Sequence, residues 1–123
     1  MRVLIVDDHE DYANMFAEML QLWGYTVRVA YSGGEALTAA REFAPEVVLC
    51  DLVMPEIDGC QVAEQLCREA TFTETRFVAL TGMTTSEVRD RALAAGFERV
   101  LLKPFDLHDL RRLLENPGAE EPV

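Results

Sequence analysis

The sequence predicts an α/β fold: a doubly wound, five-stranded parallel sheet with five helices on its two faces. Three observations predict it. Short apolar runs alternate strictly with stretches of helical period. The alternation repeats five times, which implies parallel strands joined by right-handed crossovers. The apolar runs also stop at polar residues that a parallel sheet would gather on a single edge.

The elements follow in order. Val3-Leu4-Ile5-Val6 is the first strand and ends at Asp7 and Asp8. Tyr12, Met15, Phe16, Met19, Leu20 and Trp23 then form one helical stripe, with Asp8 as N-cap and Gly24 as C-terminal stop. Thr26 to Ala30 reads as the second strand. Ser32 and Glu35 have capping-box spacing and open a helix that carries Ala36, Leu37, Ala40 and Phe43. Pro45 separates that helix from Val47-Val48-Leu49-Cys50, the third strand, which ends at Asp51. The turn-rich Met54-Pro55-Glu56-Ile57-Asp58-Gly59 leads to a helix that buries Val62, Ala63 and Leu66.

Phe77 to Leu80 is the fourth strand and runs into Thr81. Thr84 and Glu87 repeat the capping-box spacing before a helix through Val88, Ala92 and Ala95 to Gly96. Val100-Leu101-Leu102 is the fifth strand and runs into Lys103-Pro104. Asp106 caps a last helix with Leu107, Leu110, Leu113 and Leu114 on its apolar face. Residues 1–115 make one domain. Residues 116–123 are rich in Pro, Gly and Glu and read as a flexible tail. Nothing after Leu114 has the length of an output domain, so the expectation is a chain without an attached effector.

Composition narrows the function. The formal net charge is −11, from 11 basic and 22 acidic side chains. That charge disfavours direct binding to nucleic acid or to an anionic membrane. No apolar run approaches membrane-spanning length, and Met1-Arg2 leads straight into a strand rather than a signal sequence. The expectation is a soluble, cytoplasmic domain. Cys50, Cys60 and Cys67 fit no zinc spacing and read as reduced thiols without a shared role.

Open sheets of this kind bind ligands beyond the carboxyl ends of the strands, where strand order reverses. The first and third strands are the expected switch-point pair, and both end in Asp. Carboxylates gathered on one edge stay ionised together only beside a positive charge. Oxygen donors suit a hard cation such as Mg²⁺, and Lys103 adds a second positive charge. Such a pocket attracts a phosphoryl group, to which Thr81 can donate a hydrogen bond. Asp51 is then the natural nucleophile, since a carboxylate can form an acyl phosphate.

With these residues in view, the chain resembles a receiver domain of the two-component response-regulator family over residues 2 to 115. The resemblance is carried by Val6-Asp7-Asp8, Asp51 with Met54-Pro55 and Asp58-Gly59, Ala79-Leu80-Thr81-Gly82, Ala95-Gly96, and Lys103-Pro104-Phe105. It implies a flavodoxin-like strand order of 2-1-3-4-5. It implies that Asp51 accepts a phosphoryl group from a phosphohistidine on a histidine kinase or a histidine phosphotransfer protein. Asp8 would bind Mg²⁺ directly, Asp7 mainly through water, and Asp51 and the backbone carbonyl of Val53 would complete the set. Lys103 and Thr81 would hold the phosphoryl oxygens, and the Lys103-Pro104 bond would be cis. Such a domain takes part in its own phosphotransfer and dephosphorylation without being an enzyme in the usual sense. It acts on a downstream protein partner. Leu37 to Phe43 and Ala79-Leu80-Thr81-Gly82 are similar to receivers joined to hybrid histidine kinases.

The family often carries an aromatic residue three positions before the lysine, and this chain has Val100 there. Val53 and Met83 flank the pocket without a group to orient water, so slow self-dephosphorylation is expected. Three other readings stand beside the phosphoacceptor. A pseudo-receiver would act as an interaction module without phosphorylation, against which the intact Asp7, Asp8, Asp51, Thr81 and Lys103 speak. A phosphoaspartate hydrolase would want a second acid where Val53 stands. A flavin-binding domain would want a phosphate-cradling loop where Asp-Asp-His-Glu-Asp stands. His9 and His108 read as exposed or capping residues.

Overall fold

The computed structural model describes residues 1–83 and 85–115. Five strands, β1 (Arg2–Val6), β2 (Thr26–Ala30), β3 (Val47–Asp51), β4 (Arg76–Thr81) and β5 (Arg99–Leu102), form one sheet in the order β2-β1-β3-β4-β5. Every neighbouring pair is parallel. Five α-helices connect or follow them: α1 (Glu10–Leu22), α2 (Gly33–Phe43), α3 (Gly59–Cys67), α4 (Ser86–Ala95) and α5 (Leu107–Glu115). The expected fold and strand order are both observed.

Strand side chains alternate between two cores, as a sheet covered on both faces requires. Leu4, Val6, Val48, Cys50, Phe77, Ala79 and Val100 share one apolar cluster with residues of α2, α3 and α4. Val3, Ile5, Val47, Leu49, Val78, Leu80 and Leu101 share the other with residues of α1 and α5. The strand order reverses between β1 and β3, so the crevice opens beside Asp7 and Asp51.

Helix ends follow local chemistry, with some differences from the sequence reading. Asp8 does not cap α1. The N-cap is His9, whose side chain makes no capping hydrogen bond. Asp7, one residue closer to the sheet, instead accepts the His9 N–H through Oδ1 at 2.9 Å. Gly24 follows α1 with φ at 96°, a conformation glycine adopts without a Cβ penalty.

Ser32 caps α2 by accepting the Glu35 N–H, but the Glu35 carboxylate reaches back to the N–H of Tyr31, so the box is shifted by one residue. A complete capping box sits on α3 instead, between Asp58 and Gln61. The cap of α4 is Thr85; Thr84, the expected cap, lies outside the described residues. Asp106 accepts the His108 N–H at 2.7 Å at the start of α5, as expected. Met15 and Leu107 lie off their expected apolar faces and are exposed, because the stripes on α1 and α5 turn past them toward Phe16, Leu20, Leu110 and Leu113. The tail at 116–123 lies outside the described residues.

Candidate phosphoryl and metal site

Each expected site residue is placed by backbone pairing. Asp7 follows β1, and its N–H donates to the carbonyl of Ala30 on β2. Asp51 is the last residue of β3 and pairs with Leu80. Thr81 is the last residue of β4 and pairs with Leu102. The Lys103 N–H then donates to the Thr81 carbonyl at 2.7 Å, which ties the start of the β5–α5 connection to the end of β4. The Lys103-Pro104 bond is cis.

The side chains converge across 96 residues of sequence. Lys103 Nζ lies 3.0 Å from Asp7 Oδ2 and 3.3 Å from Asp51 Oδ2, so one ammonium bridges two carboxylates. Asp7 is 1% and Asp51 6% exposed. Carboxylates so enclosed need a partner, because desolvation penalises their charge. The other oxygen of Asp51 accepts the Val53 N–H at 3.1 Å. Thr81 is buried, and its Oγ1 accepts the Met83 N–H at 3.1 Å, which leaves the hydroxyl proton free to donate elsewhere.

Electrostatics sort the groups. Burial raises the Asp51 pKa above the usual carboxylate value, and the nearby Asp7 charge adds to the effect; the Val53 N–H and Lys103 oppose it only in part. Burial alone would pull the Lys103 ammonium down, but its hydrogen bond to Asp7 and the charges of Asp51 and Asp7 outweigh burial and raise it. Lys103 is therefore firmly cationic. Its Nζ also lies 5.0 Å from the centre of the Tyr12 ring, a cation–π contact that walls the ammonium on the α1 side.

The fit to a cation rests on the donor set and on one orphaned atom. Asp8 Oδ1 is buried and has no hydrogen-bond partner. Such an atom is costly unless a ligand satisfies it. Asp7, Asp8, His9 and Asp51 each present one ligand atom, all within 4.8 Å of one another. This cluster could hold a metal ion, and carboxylate oxygens favour a hard divalent one.

Four features of the site were not apparent in the sequence reading. Tyr12 lies on the α1 apolar stripe and also borders Lys103. The His9 ring sits at the carboxylates rather than away from them. Gly59 belongs by sequence to a turn-rich stretch, but a Cβ there would overlap the Asp51 carbonyl oxygen and come within 2.9 Å of Leu52 Cα. Only glycine lets α3 start that close to the Asp51 backbone. Arg91 of α4 pairs with Asp58 at 2.9 Å, linking α4 to the loop that follows Asp51. Val100, at the position where an aromatic is common, is 3% exposed and packs in the core beside α4.

The response regulator receiver domain model matches residues 3–115. The chain belongs to the response-regulator receiver family. A transcriptional regulatory protein, ZraR of Salmonella typhimurium, is 34% identical over 98% of this chain and 28% of its own length. The response regulator MprA of Mycobacterium avium is 34% identical over 98% of this chain and 54% of its own length. This chain therefore spans a minor part of the first and about half of the second.

The chemotaxis protein CheY4 of Vibrio cholerae superposes with a TM-score of 0.87 at 31% identity, covering 93% of this chain and 95% of that one. A response regulator from Chloroflexus aurantiacus gives 0.86 at 30% identity, covering 94% of each. Among the described residues, no helix is long and apolar enough to cross a membrane.

Proposed function

We propose that this receiver accepts a phosphoryl group on Asp51 from a partner phosphohistidine, with a divalent cation, Mg²⁺ in the first instance, held by Asp7, Asp8, Asp51 and the Val53 carbonyl. The observation that carries the reading is Lys103 bridging Asp7 and Asp51 on the edge where a buried oxygen of Asp8 has no partner. An Asp51 carboxylate oxygen attacks phosphorus in line with the donor imidazole. The P–O bond to Asp51 forms as the P–N bond breaks, and the imidazole nitrogen keeps that electron pair. A cation held by Asp7, Asp8, Asp51 and the Val53 carbonyl would supply charge neutralisation for the transferring phosphoryl oxygens. Lys103 stays protonated throughout and pairs with one phosphoryl oxygen. The Thr81 hydroxyl donates to another. Positioning and charge neutralisation supply most of the acceleration.

The phosphoryl group competes with Asp7 for Lys103 and draws on the Thr81 hydroxyl, which is tied to Met83 at the start of the β4–α4 connection. A changed connection, and with it α4, is the surface a downstream protein partner would read. Val100 packs in the core and leaves no aromatic to swing, so the signal runs through Thr81 and Met83 instead.

The test is Mg²⁺-dependent labelling by a small phosphodonor such as acetyl phosphate. Wild type takes label and Asp51→Asn does not. Equal labelling of both sinks the assignment of Asp51, and labelling of neither points to a phosphorylation-independent interaction module.

A further inference from the structure

We infer that His9 is a ligand of the cation in this pocket and that it tilts the site's preference from Mg²⁺ toward a first-row transition ion such as Mn²⁺. The inference rests on the reading that the pocket holds a divalent cation at all.

The geometry carries it. His9 Nδ1 lies 3.4 Å from Asp7 Oδ1 and 3.5 Å from Asp8 Oδ1. Both separations are long for a hydrogen bond, and neither pair makes one. They suit two donors sharing one ion: ligands about 2.1 Å from a metal stand roughly 3.0 Å apart when octahedral and roughly 3.4 Å apart when tetrahedral. The 4.8 Å limit on the whole cluster leaves room for an opposed pair as well. The Asp8 oxygen facing His9 is the orphaned one, so the imidazole and the unsatisfied carboxylate oxygen point at the same volume.

Local structure holds His9 there. Its backbone is extended, with φ at −85° and ψ at 94°, as the residue before α1. Its N–H is anchored on Asp7 Oδ1. Its ring is otherwise exposed, with a side-chain exposure of 77%, so the apolar core does not explain its orientation. Without a metal, the imidazole gains only a loose contact with two carboxylates.

The chemistry sets the consequence. Carboxylate, carbonyl and water ligands suit Mg²⁺ and Mn²⁺ alike. Mg²⁺ gives up its water shell reluctantly and gains little from an imidazole, whereas Mn²⁺ opens the first-row series whose affinity extends to nitrogen donors. One nitrogen among oxygen donors therefore adds affinity for Mn²⁺ and little for Mg²⁺. The residue after the acidic pair becomes a determinant of which cation supports phosphotransfer.

Mn²⁺ is the probe of choice, because it is paramagnetic and discriminates less strongly for the exposed Cys67 thiol than softer ions do. Free Mn²⁺ counted by electron paramagnetic resonance, with Mg²⁺ as competitor, gives the ratio of the two affinities. Electron spin-echo modulation detects a directly bound nitrogen. Wild type should give nitrogen modulation that His9→Gln abolishes and His108→Gln retains, with a Mn²⁺-to-Mg²⁺ preference about tenfold lower in His9→Gln. Tight Mn²⁺ binding without nitrogen modulation, or a preference unchanged in His9→Gln, would overturn the role of His9 while leaving the cation pocket intact. Binding of neither ion, or binding that Asp8→Asn does not weaken, would remove the pocket itself and the inference with it.

Discussion

Lys103 and Asp7 form the tightest ion pair of the pocket, 3.0 Å from Nζ to Oδ2, although 96 residues separate them in sequence. The pair closes the carboxylate edge of the sheet, since the same ammonium also reaches Asp51. Removing it leaves two enclosed carboxylates facing each other. Lys103→Met should lower stability in chelator by about 2 kcal/mol, less than for a fully enclosed pair because the lysine keeps 22% exposure. Millimolar Mg²⁺ should restore part of the loss. Urea unfolding with and without Mg²⁺ checks both.

Asp51 should respond in the opposite sense. Its folded pKa is raised, so the folded state binds the proton more tightly than the unfolded chain does. The ionised form then costs stability. The cost is absent below the unfolded carboxylate pKa and fully present above the folded one. Without metal, Asp51→Asn should be more stable than wild type at neutral pH, and the gap should close as pH falls through that window. Unfolding curves across the acidic range in chelator measure it, and a gap that widens toward low pH would contradict the assignment.

The first position of α3 tolerates no side chain: Gly59 lies against the end of β3. Gly59→Ala should destabilise by about 2 kcal/mol, because the new methyl meets backbone rather than a movable side chain. It should also slow phosphoryl acceptance, since the atoms it displaces belong to Asp51 and Leu52. Comparing the urea midpoint with the labelling rate separates the two losses.

Much of this was legible in the sequence because a parallel sheet converts strand ends into neighbours. The polar stops at the ends of four of the five apolar runs are enough to place Asp7, Asp51, Thr81 and Lys103 on one edge. What the pattern did not contain was detail set by tertiary contact. Asp8 looks like a helix cap from its position, yet the cap falls to His9, because Asp7 claims the His9 N–H and Asp8 is left facing the cluster. Met15 and Leu107 fit their helical stripes by spacing alone, but β1–β3 and α5 are covered without them. Tyr12 borders Lys103 because Tyr12 and Phe16 of α1 pack against Lys103 and Phe105 of the β5–α5 connection, which no local pattern encodes.

The acyl phosphate should be long-lived. Val53 and Met83 flank the site, are 69% and 57% exposed, and carry no group to orient an attacking water. Decay of phosphorylated protein should take minutes or longer. Val53→Glu should speed it at least about tenfold, at the low end of what a positioned general base contributes. A half-life of seconds in the unsubstituted protein, read in a purified-protein decay assay, would count against this account of the flanking residues.

Phosphoryl acceptance places a covalent bond at one oxygen of Asp51. Borohydride reduction of the acetyl phosphate-treated protein converts a phosphoaspartate to homoserine, and peptide mass spectrometry locates it. Homoserine should appear at position 51, formed with Mg²⁺ and lost in chelator. Homoserine at Asp7 or Asp8, or formation at position 51 that ignores Mg²⁺, would contradict it.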